Sequence, residues 1–368
     1  MTGSTAHPAT EALLDRVRTS RVNGVAIGPG DDFRYLIGFS PTPDERPCYL
    51  LAGRRGAAMV MPSLNAGQVA DHTSLPMFSY ADADGPGVAL DRAAEAAGVP
   101  STCNRLAVGD SMRADALLVL LEKWPAMRPE SASSLVGGLR ARKSDAELAR
   151  LQAAADLADQ AMAAAFSVCR PGVTERDIAD AAIAVFREGG AEEVCHTIVA
   201  SGPNSAYPHH HTAARRLEPG NPVTIDIGCR VEGYCSDITR MAVLGDASME
   251  YEQVHAVVED AVKAAMAAVR PGVACAAVDE AARTAIERAG YGEYFTHRTG
   301  HGIGLSVHER PYVTGTNREL LEPGMVFSIE PGIYLPGRFG VRLEEIVVVT
   351  PTGCRRLSHL PRDAFFAR

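Results

Sequence analysis

Two carboxylates hold equivalent places in a repeated phrase. Leu217-Glu218-Pro219-Gly220 leads to Thr224-Ile225-Asp226-Ile227-Gly228, and Leu321-Glu322-Pro323-Gly324 leads to Ser328-Ile329-Glu330-Pro331-Gly332. Asp226 and Glu330 lie 104 residues apart. A second echo, Arg170-Pro171-Gly172-Val173 and Arg270-Pro271-Gly272-Val273, recurs at 100. A duplicated unit thus sets one acid in each half at a matching position. Brought together about an internal pseudo-twofold, the two repel unless a cation lies between them. The pattern points to metal.

Other residues join them. Asp237 follows Asp226 by 11 residues, across the turn-like stretch Arg230 to Gly233, so the two acids are expected to face each other over a hairpin. An acid between Ile225 and Ile227 in a core-bound strand needs a partner, because burying an unpaired carboxylate costs several kcal/mol. The alternative is an edge strand with its acids in solvent. His297, His301 and His308 fall within 12 residues of a chain that has 11 histidines, interleaved with Gly300, Gly302 and Gly304. That density is hard to ascribe to packing. His209, His210 and His211 form a second group, of which at least one is expected to be a plain surface residue. Further on, alternation from Val341 sets Arg342 and Glu344 on one face of a strand and Leu343 and Glu345 on the other. That face reads either as part of a site or as a structural salt bridge. Taken together, Asp226, Asp237, His301, Glu330 and Glu344 are oxygen-rich ligands with one imidazole, a set suited to Mn²⁺, Co²⁺, Fe²⁺ or Zn²⁺. Four carboxylates exceed the needs of one ion. They match two ions about 3.5–4 Å apart, which lower the pKa of a bridging water to roughly 7.

The elements that must position these residues come in two styles. The first part alternates short strands and helices: strands at 24–28, 56–61 and 106–109, helices at 88–97 and 113–123. Near Val136-Gly137-Gly138-Leu139 the pattern changes. Ser144 with Glu147 reads as a capping box before a long helix that ends at Arg170-Pro171-Gly172, and Thr174 with Asp177 caps the next, which stops at Gly189-Gly190. The order then repeats, with helices from about Tyr251 to Val269 and on to Gly290. Each half is expected to lay its helices on one face of an antiparallel sheet. The predicted domains are 1–138 and 139–368.

Composition narrows the function. A chain of 368 residues carries two domains and a full core. Its net charge of −9, without a basic block, argues against nucleic acid as a partner. No stretch of 18 apolar residues suggests a membrane span, and Met1 to Arg21 lacks the basic and apolar regions of a secretory signal. The eight cysteines, at 48, 103, 169, 195, 229, 235, 275 and 354, are scattered without a C-x-x-C, which suits a reducing cytoplasm.

The set Asp226-Ile227-Gly228, Ser236-Asp237-Ile238-Thr239-Arg240, Gly300-His301-Gly302-Ile303-Gly304, Val307-His308-Glu309, Ser328-Ile329-Glu330-Pro331-Gly332 and Val341-Arg342-Leu343-Glu344-Glu345 resembles, in content and order, metallopeptidase family M24. This is the pita-bread family of Xaa-Pro dipeptidase (prolidase), aminopeptidase P, methionine aminopeptidase and creatinase. The resemblance extends more weakly to a creatinase-like N-terminal α/β domain through Tyr35-Leu36-Ile37-Gly38-Phe39. It implies an α+β fold: a pita-bread catalytic domain with an internal pseudo-twofold, behind a smaller α/β domain. It also implies roles. Asp226 binds one ion, Asp237 and Glu344 bridge two, and His301 and Glu330 complete the shells. Glu330 steers the proton of the attacking hydroxide, His308 meets the scissile carbonyl or its oxyanion, and His209 and His297 bind substrate. Arg342 supports the metal carboxylates. The implied substrate is a short proline-containing peptide and the cofactor two divalent ions, Mn²⁺ first, with Co²⁺, Zn²⁺ or Fe²⁺ as alternatives. A homodimer is usual in the family. Where many prolidases carry Arg after the Pro of this region, to hold a dipeptide's carboxylate, the chain has Tyr312, with Arg310 two residues earlier; both are candidate substrate contacts. The intact ligand set argues against metal-free creatine chemistry and against a non-catalytic binding scaffold. Another small amide, or a lyase reaction at the same centre, is the alternative activity.

Overall fold

The computed structural model describes residues 7–367. Residues 1–6 and 368 lie outside the described residues, and with them the start of the segment read for a secretory signal and the outer ends of the two expected domains. No described helix is long and apolar enough to cross a membrane. The chain divides into two compact units, with the division between Arg140 and Ala141.

The first unit is built on a six-stranded mixed sheet, in the order Met77–Tyr80, Ala57–Pro62, Tyr49–Gly53, Gly24–Ile27, Arg105–Val108, Arg128–Ser131. Its central strands are buried on both faces. Leu50 and Ala52 pack into one apolar cluster while Tyr49 and Leu51 pack into the other. Such two-sided burial explains why these strands read as continuous apolar runs. The segment Tyr35 to Phe39 closes the helix Asp31–Ile37 at Gly38, whose φ of 81° is the left-handed cap that glycine takes without strain.

In the second unit the repeat is visible at the level of single hydrogen bonds. Helices Asp145–Val168 and Glu175–Glu188 precede a sheet ordered Phe365–Ala367, Ile238–Leu244, Pro222–Val231, Glu193–Ser201. Helices Met249–Ala268 and Cys275–Arg288 precede a sheet ordered Glu309–Val313, Gly300–Gly302, Val326–Ile329, Glu345–Val349, Cys354–Arg356. Both capping boxes form, at Ser144 with Glu147 and at Thr174 with Asp177. The two echoed phrases lock together in the same way in each half. Gly172 N–H donates to Leu217 O at 3.0 Å and Gly272 N–H to Leu321 O at 2.9 Å, while Leu217 and Leu321 donate back to Val173 and Val273, each at 2.8 Å.

Period-two alternation decides where the acids go. Val223, Ile225 and Ile227 enter the core against the first helix pair, so Thr224, Asp226 and Gly228 face the other way. Phe327 and Ile329 enter the core against the second pair, which turns Ser328 and Glu330 outward from it. Each sheet therefore shows its helices one face and offers the acids on the other. The flanking isoleucines belong to the core, and the acids never enter it.

Two expectations of local geometry are corrected. Asp226 and Asp237 are not cross-strand partners. The two-residue turn at Glu232 and Gly233, with φ of 46° and 83°, fixes the register so that Asp226 stands opposite Thr239. Asp237 is then the diagonal neighbour, two residues along. Nor is Val341 to Val348 one alternating strand. It breaks at Leu343 and Glu344 into Phe339–Arg342, paired with Gly332–Leu335 in a two-stranded ribbon, and Glu345–Val349 in the larger sheet. The break is held by Arg240, fully buried, which donates to the backbone O of Glu344 at 2.5 Å and to Glu345 Oε1 at 2.9 Å.

Gly300 shows how tightly His301 is seated. A Cβ there would lie 1.8 Å from the backbone O of Ser328. Gly300→Ala is expected to cost about 1–3 kcal/mol by forcing the two strands apart, read as a lower urea midpoint; an unchanged midpoint would mean the strands have slack.

Candidate metal centre

Each acid reaches the centre from a different element. Asp226 comes from the middle of Pro222–Val231 and Asp237 from the residue before Ile238–Leu244. Glu330 follows Val326–Ile329, and Glu344 precedes Glu345–Val349. His301 comes from the short strand Gly300–Gly302. All five line one cleft of about 700 Å³, together with His209, His297, His308 and Arg342. Cys195, His196 and Arg298 also line it.

Arg342 is the guanidinium that reaches the acids. Its Nη2 donates to Asp226 Oδ2 at 2.5 Å, its Nη1 to Tyr334 Oη at 2.8 Å and its Nε to Thr239 Oγ1 at 3.2 Å. Thr239 in turn donates to Glu344 Oε2 at 2.9 Å. The Arg–Glu salt bridge that alternation allowed is therefore not formed; Arg342 pairs with Asp226 and touches Glu344 only through Thr239. Burial pushes the Asp226 carboxyl up, but Arg342 and His196 overcome it and hold the group well below the usual carboxylate range. Glu344 is the opposite case. Burial, then the neighbouring Asp237, Glu330 and Asp226 charges, push its pKa well above normal, and its Oε1 is buried with no hydrogen-bond partner.

That orphaned oxygen tests the fit of a cation. A buried acceptor costs about 1–3 kcal/mol when left unmade, and here it belongs to a carboxylate that sits among further ligand atoms. Asp237, His301 and Glu344 offer ligand atoms within 4.8 Å of one another, and so do His196, Asp226 and Asp237. Asp237 is common to both groups. His301 Nε2 lies 3.2 Å from Glu330 Oε1 and 3.6 Å from Asp237 Oδ2. Its Nδ1 faces Gly302 O at 3.1 Å, which makes Nδ1 a donor, while Nε2, held by the Glu330 carboxylate, is the nitrogen that would ligate once a cation replaces its proton. The donor set fits a divalent cation, and Asp237 belongs to both groups of ligand atoms.

The histidines separate by role. His308 stands edge-on to His301, with ring centroids 4.2 Å apart, and is otherwise exposed. Burial of its packed side and the His301 charge push its pKa down to about 4, so the ring is neutral at pH 7. His209 is exposed at the cleft. His297 has both ring nitrogens engaged, Nδ1 with Arg298 O at 2.7 Å and Nε2 with Tyr334 Oη at 2.8 Å. His210 is the structural member of its trio: its Nε2 lies 3.0 Å from Glu175 Oε2.

Sequence reasoning passed over four residues. Glu175, fully buried, accepts from Ser201 N, Ser201 Oγ, Asn204 Nδ2 and Ala213 N, as well as meeting His210, and so fixes the loop that carries His209. Asp279, 104 residues later, accepts from Thr299 N and Oγ1 and from Arg283, and fixes the segment that carries His297. The repeat offset was the signal for that pair. His196 Nε2 lies between Asp226 Oδ1, at 3.1 Å, and Asp237 Oδ1, at 3.0 Å. Arg298 holds its guanidinium over the Tyr312 ring, 4.8 Å from the centroid. Of the two expected substrate contacts on Glu309–Val313, Arg310 is engaged by Glu319 at 3.0 Å, and neither it nor Tyr312 is among the residues lining the cleft.

Residues 149–351 match the model of a family described as metallopeptidase family M24. The chain is 40% identical over 347 residues to a probable dipeptidase PepE of Mycobacterium bovis, covering 92% of this chain and 91% of the relative. It is 31% identical over 352 residues to an Xaa-Pro dipeptidase of Pyrococcus horikoshii, covering 95% and 97%. The crystal structure of dipeptidase PepE from Mycobacterium ulcerans superposes with a TM-score of 0.92 at 38% identity, over 97% of this chain and 96% of that one.

Replacing Arg342 by Met should leave Asp226 buried without its guanidinium. In metal-stripped protein the expected loss is about 3–5 kcal/mol of unfolding free energy in urea; a loss under about 1 kcal/mol would mean that Asp226 does not depend on Arg342.

Proposed function

The chain belongs to metallopeptidase family M24, and on that premise we propose that it hydrolyses the bond before proline in dipeptides or other short peptides. Two divalent ions would be held by Asp226, Asp237, His301, Glu330 and Glu344. The observation that carries the reading is the packing of four carboxylates around one cleft, with Glu344 Oε1 orphaned and buried. That arrangement calls for cations in place of protons. Mn²⁺ suits the five-ligand set, with Co²⁺, Zn²⁺ and Fe²⁺ as alternatives. When bound, the ions supply Lewis acidity and a water acidified to near neutrality.

The chain's own residues do the rest. The scissile carbonyl lies toward His308, a neutral ring on the open side of the centre, whose N–H donates to the oxygen as charge develops there. Glu330, beside His301, takes the proton of the attacking water and returns it to the departing proline nitrogen as the C–N bond breaks. An imide nitrogen before proline carries no hydrogen, so this returned proton is what completes the leaving amine. His209 lines the same cleft and contacts the peptide. His297 is held through Tyr334 by Arg342 and shapes the pocket wall. Arg298 replaces Arg310 and Tyr312 as the candidate for a dipeptide's free carboxylate: it lines the cleft, and an arginine fork matches a carboxylate bidentately. Tyr312 would steady it from outside. A homodimer and a cytoplasmic setting are part of the proposal, the first supported by the family resemblance and the second by eight free thiols.

The test is hydrolysis of Ala-Pro and Ala-Pro-Ala by stripped protein reloaded with Mn²⁺, Co²⁺ or Zn²⁺. Cleavage of either supports proline specificity, and a preference for the dipeptide supports Arg298 as its clamp. Arg298→Ala should then raise KM for Ala-Pro by about 10-fold or more with a smaller change in kcat, as loss of a charge-assisted hydrogen bond of about 1.5–3 kcal/mol implies. If neither peptide is cleaved with ions bound, proline specificity is wrong.

A further inference from the structure

His196 is not one of the five family ligands, yet its Nε2 sits where a ligand atom would. Atoms bound at right angles, each about 2.1 Å from one ion, stand about 3.0 Å apart. Nε2 lies 3.1 Å from Asp226 Oδ1 and 3.0 Å from Asp237 Oδ1. The position is built by the backbone. The register of Glu193–Ser201 against Pro222–Val231 slips between Val194 and His196, so Cys195 is the extra residue of a bulge. Bulges re-aim side chains, and here Cys195 and His196, neighbours in sequence, both line the cleft. The partner of His196 across the ladder is Gly228, and a Cβ on Gly228 would lie 2.5 Å from His196 Cε1. The imidazole occupies the space that this glycine leaves open.

The repeat supports the same conclusion. Glu193–Ser201 flanks the strand of Asp226 as Gly300–Gly302 flanks the strand that ends before Glu330. His196 and His301 are thus the imidazoles of corresponding strands. We infer that His196 is a sixth protein ligand, bonding through Nε2 to the ion held by Asp226 and Asp237. Each ion then receives one imidazole along with its carboxylates. The first site is no longer all-oxygen, which moves it from hard cations such as Mn²⁺ toward Co²⁺ and Zn²⁺. This rests on the two-ion reading above.

Binding, measured apart from activity, tests it. Stripped full-length protein is titrated with Co²⁺ by calorimetry, and the Zn²⁺-loaded protein is examined by X-ray absorption, which counts bound imidazoles. Wild type should bind two ions with two imidazoles. His196→Phe keeps a ring over Gly228 and removes both donors. It should weaken one ion by about 100-fold or more, beyond the 10–100-fold typical of losing an outer partner, leave the other nearly unchanged, and lower the imidazole count to one. His301→Ala should weaken the other ion. A His196→Phe variant that melts like wild type in the stripped state and keeps both affinities and both imidazoles would overturn the inference while leaving the two-ion reading intact. A wild type that binds no Co²⁺ would overturn both. Should His196→Phe fail to fold, the wild-type imidazole count decides alone: one imidazole for two ions would exclude His196.

Discussion

Four carboxylates converge in a cleft where Arg342 and the imidazoles of His196 and His301 meet Asp226, Asp237 and Glu330 but, among the described residues, no cation meets Glu344. Two like charges about 4 Å apart repel by about 4 kcal/mol at an effective dielectric of ~20, and Arg342 answers directly only the charge of Asp226. The imbalance appears in the titration behaviour of the acids. Asp226 is held low by Arg342 and His196, whereas Glu344 is pushed high by burial and by its neighbours. A cluster so arranged is half of an ionic structure, and the rest of the catalytic unit can be understood as the frame that keeps it open. The helix pairs draw the apolar residues of each strand to one side. Arg240 pins the chain break at Glu344. Glu175 and Asp279 fix the loops that bring histidines to the rim.

Much of this was legible in the residues. The acids announced themselves by recurring at one offset and by interrupting apolar strands, a local conflict that functional sites tolerate and cores do not. The capping boxes at Ser144 and Thr174 and the alternation about Asp226 and Glu330 depend only on neighbours in sequence, and they form as the pattern implies. What escaped depends on contacts between distant segments. Whether Arg342 pairs with Glu344 or Asp226 is set by the break at Leu343, and nothing local marks that break. The diagonal placement of Asp226 and Asp237 follows from the length of a turn, and a change of one residue there would have altered it. Arg298 reaches the cleft while Arg310, the arginine beside the Pro of this region, is occupied by Glu319, a choice made by contacts that no local pattern marks.

His196 is the instructive omission. A lone histidine beside a cysteine, in a strand with little alternation, carries no signal of its own. Its position becomes visible only when the bulge at Cys195 and the bare backbone of Gly228 are seen together. Yet the duplication held the clue, since His301 lies 105 residues further on in the corresponding strand. A repeat can therefore be read twice, first for the residues it copies and then for partners of like chemistry that its register brings to matching places.

The central claim is that divalent cations complete the acid cluster, and counting them tests it most directly. Equilibrium dialysis of the stripped chain against Mn²⁺, followed by elemental analysis, should give two ions per chain, falling to one or none in Asp237→Ala, where the ligand common to both groups is lost. A wild-type chain that retains no ion, or an Asp237→Ala chain that still binds two, would contradict the account.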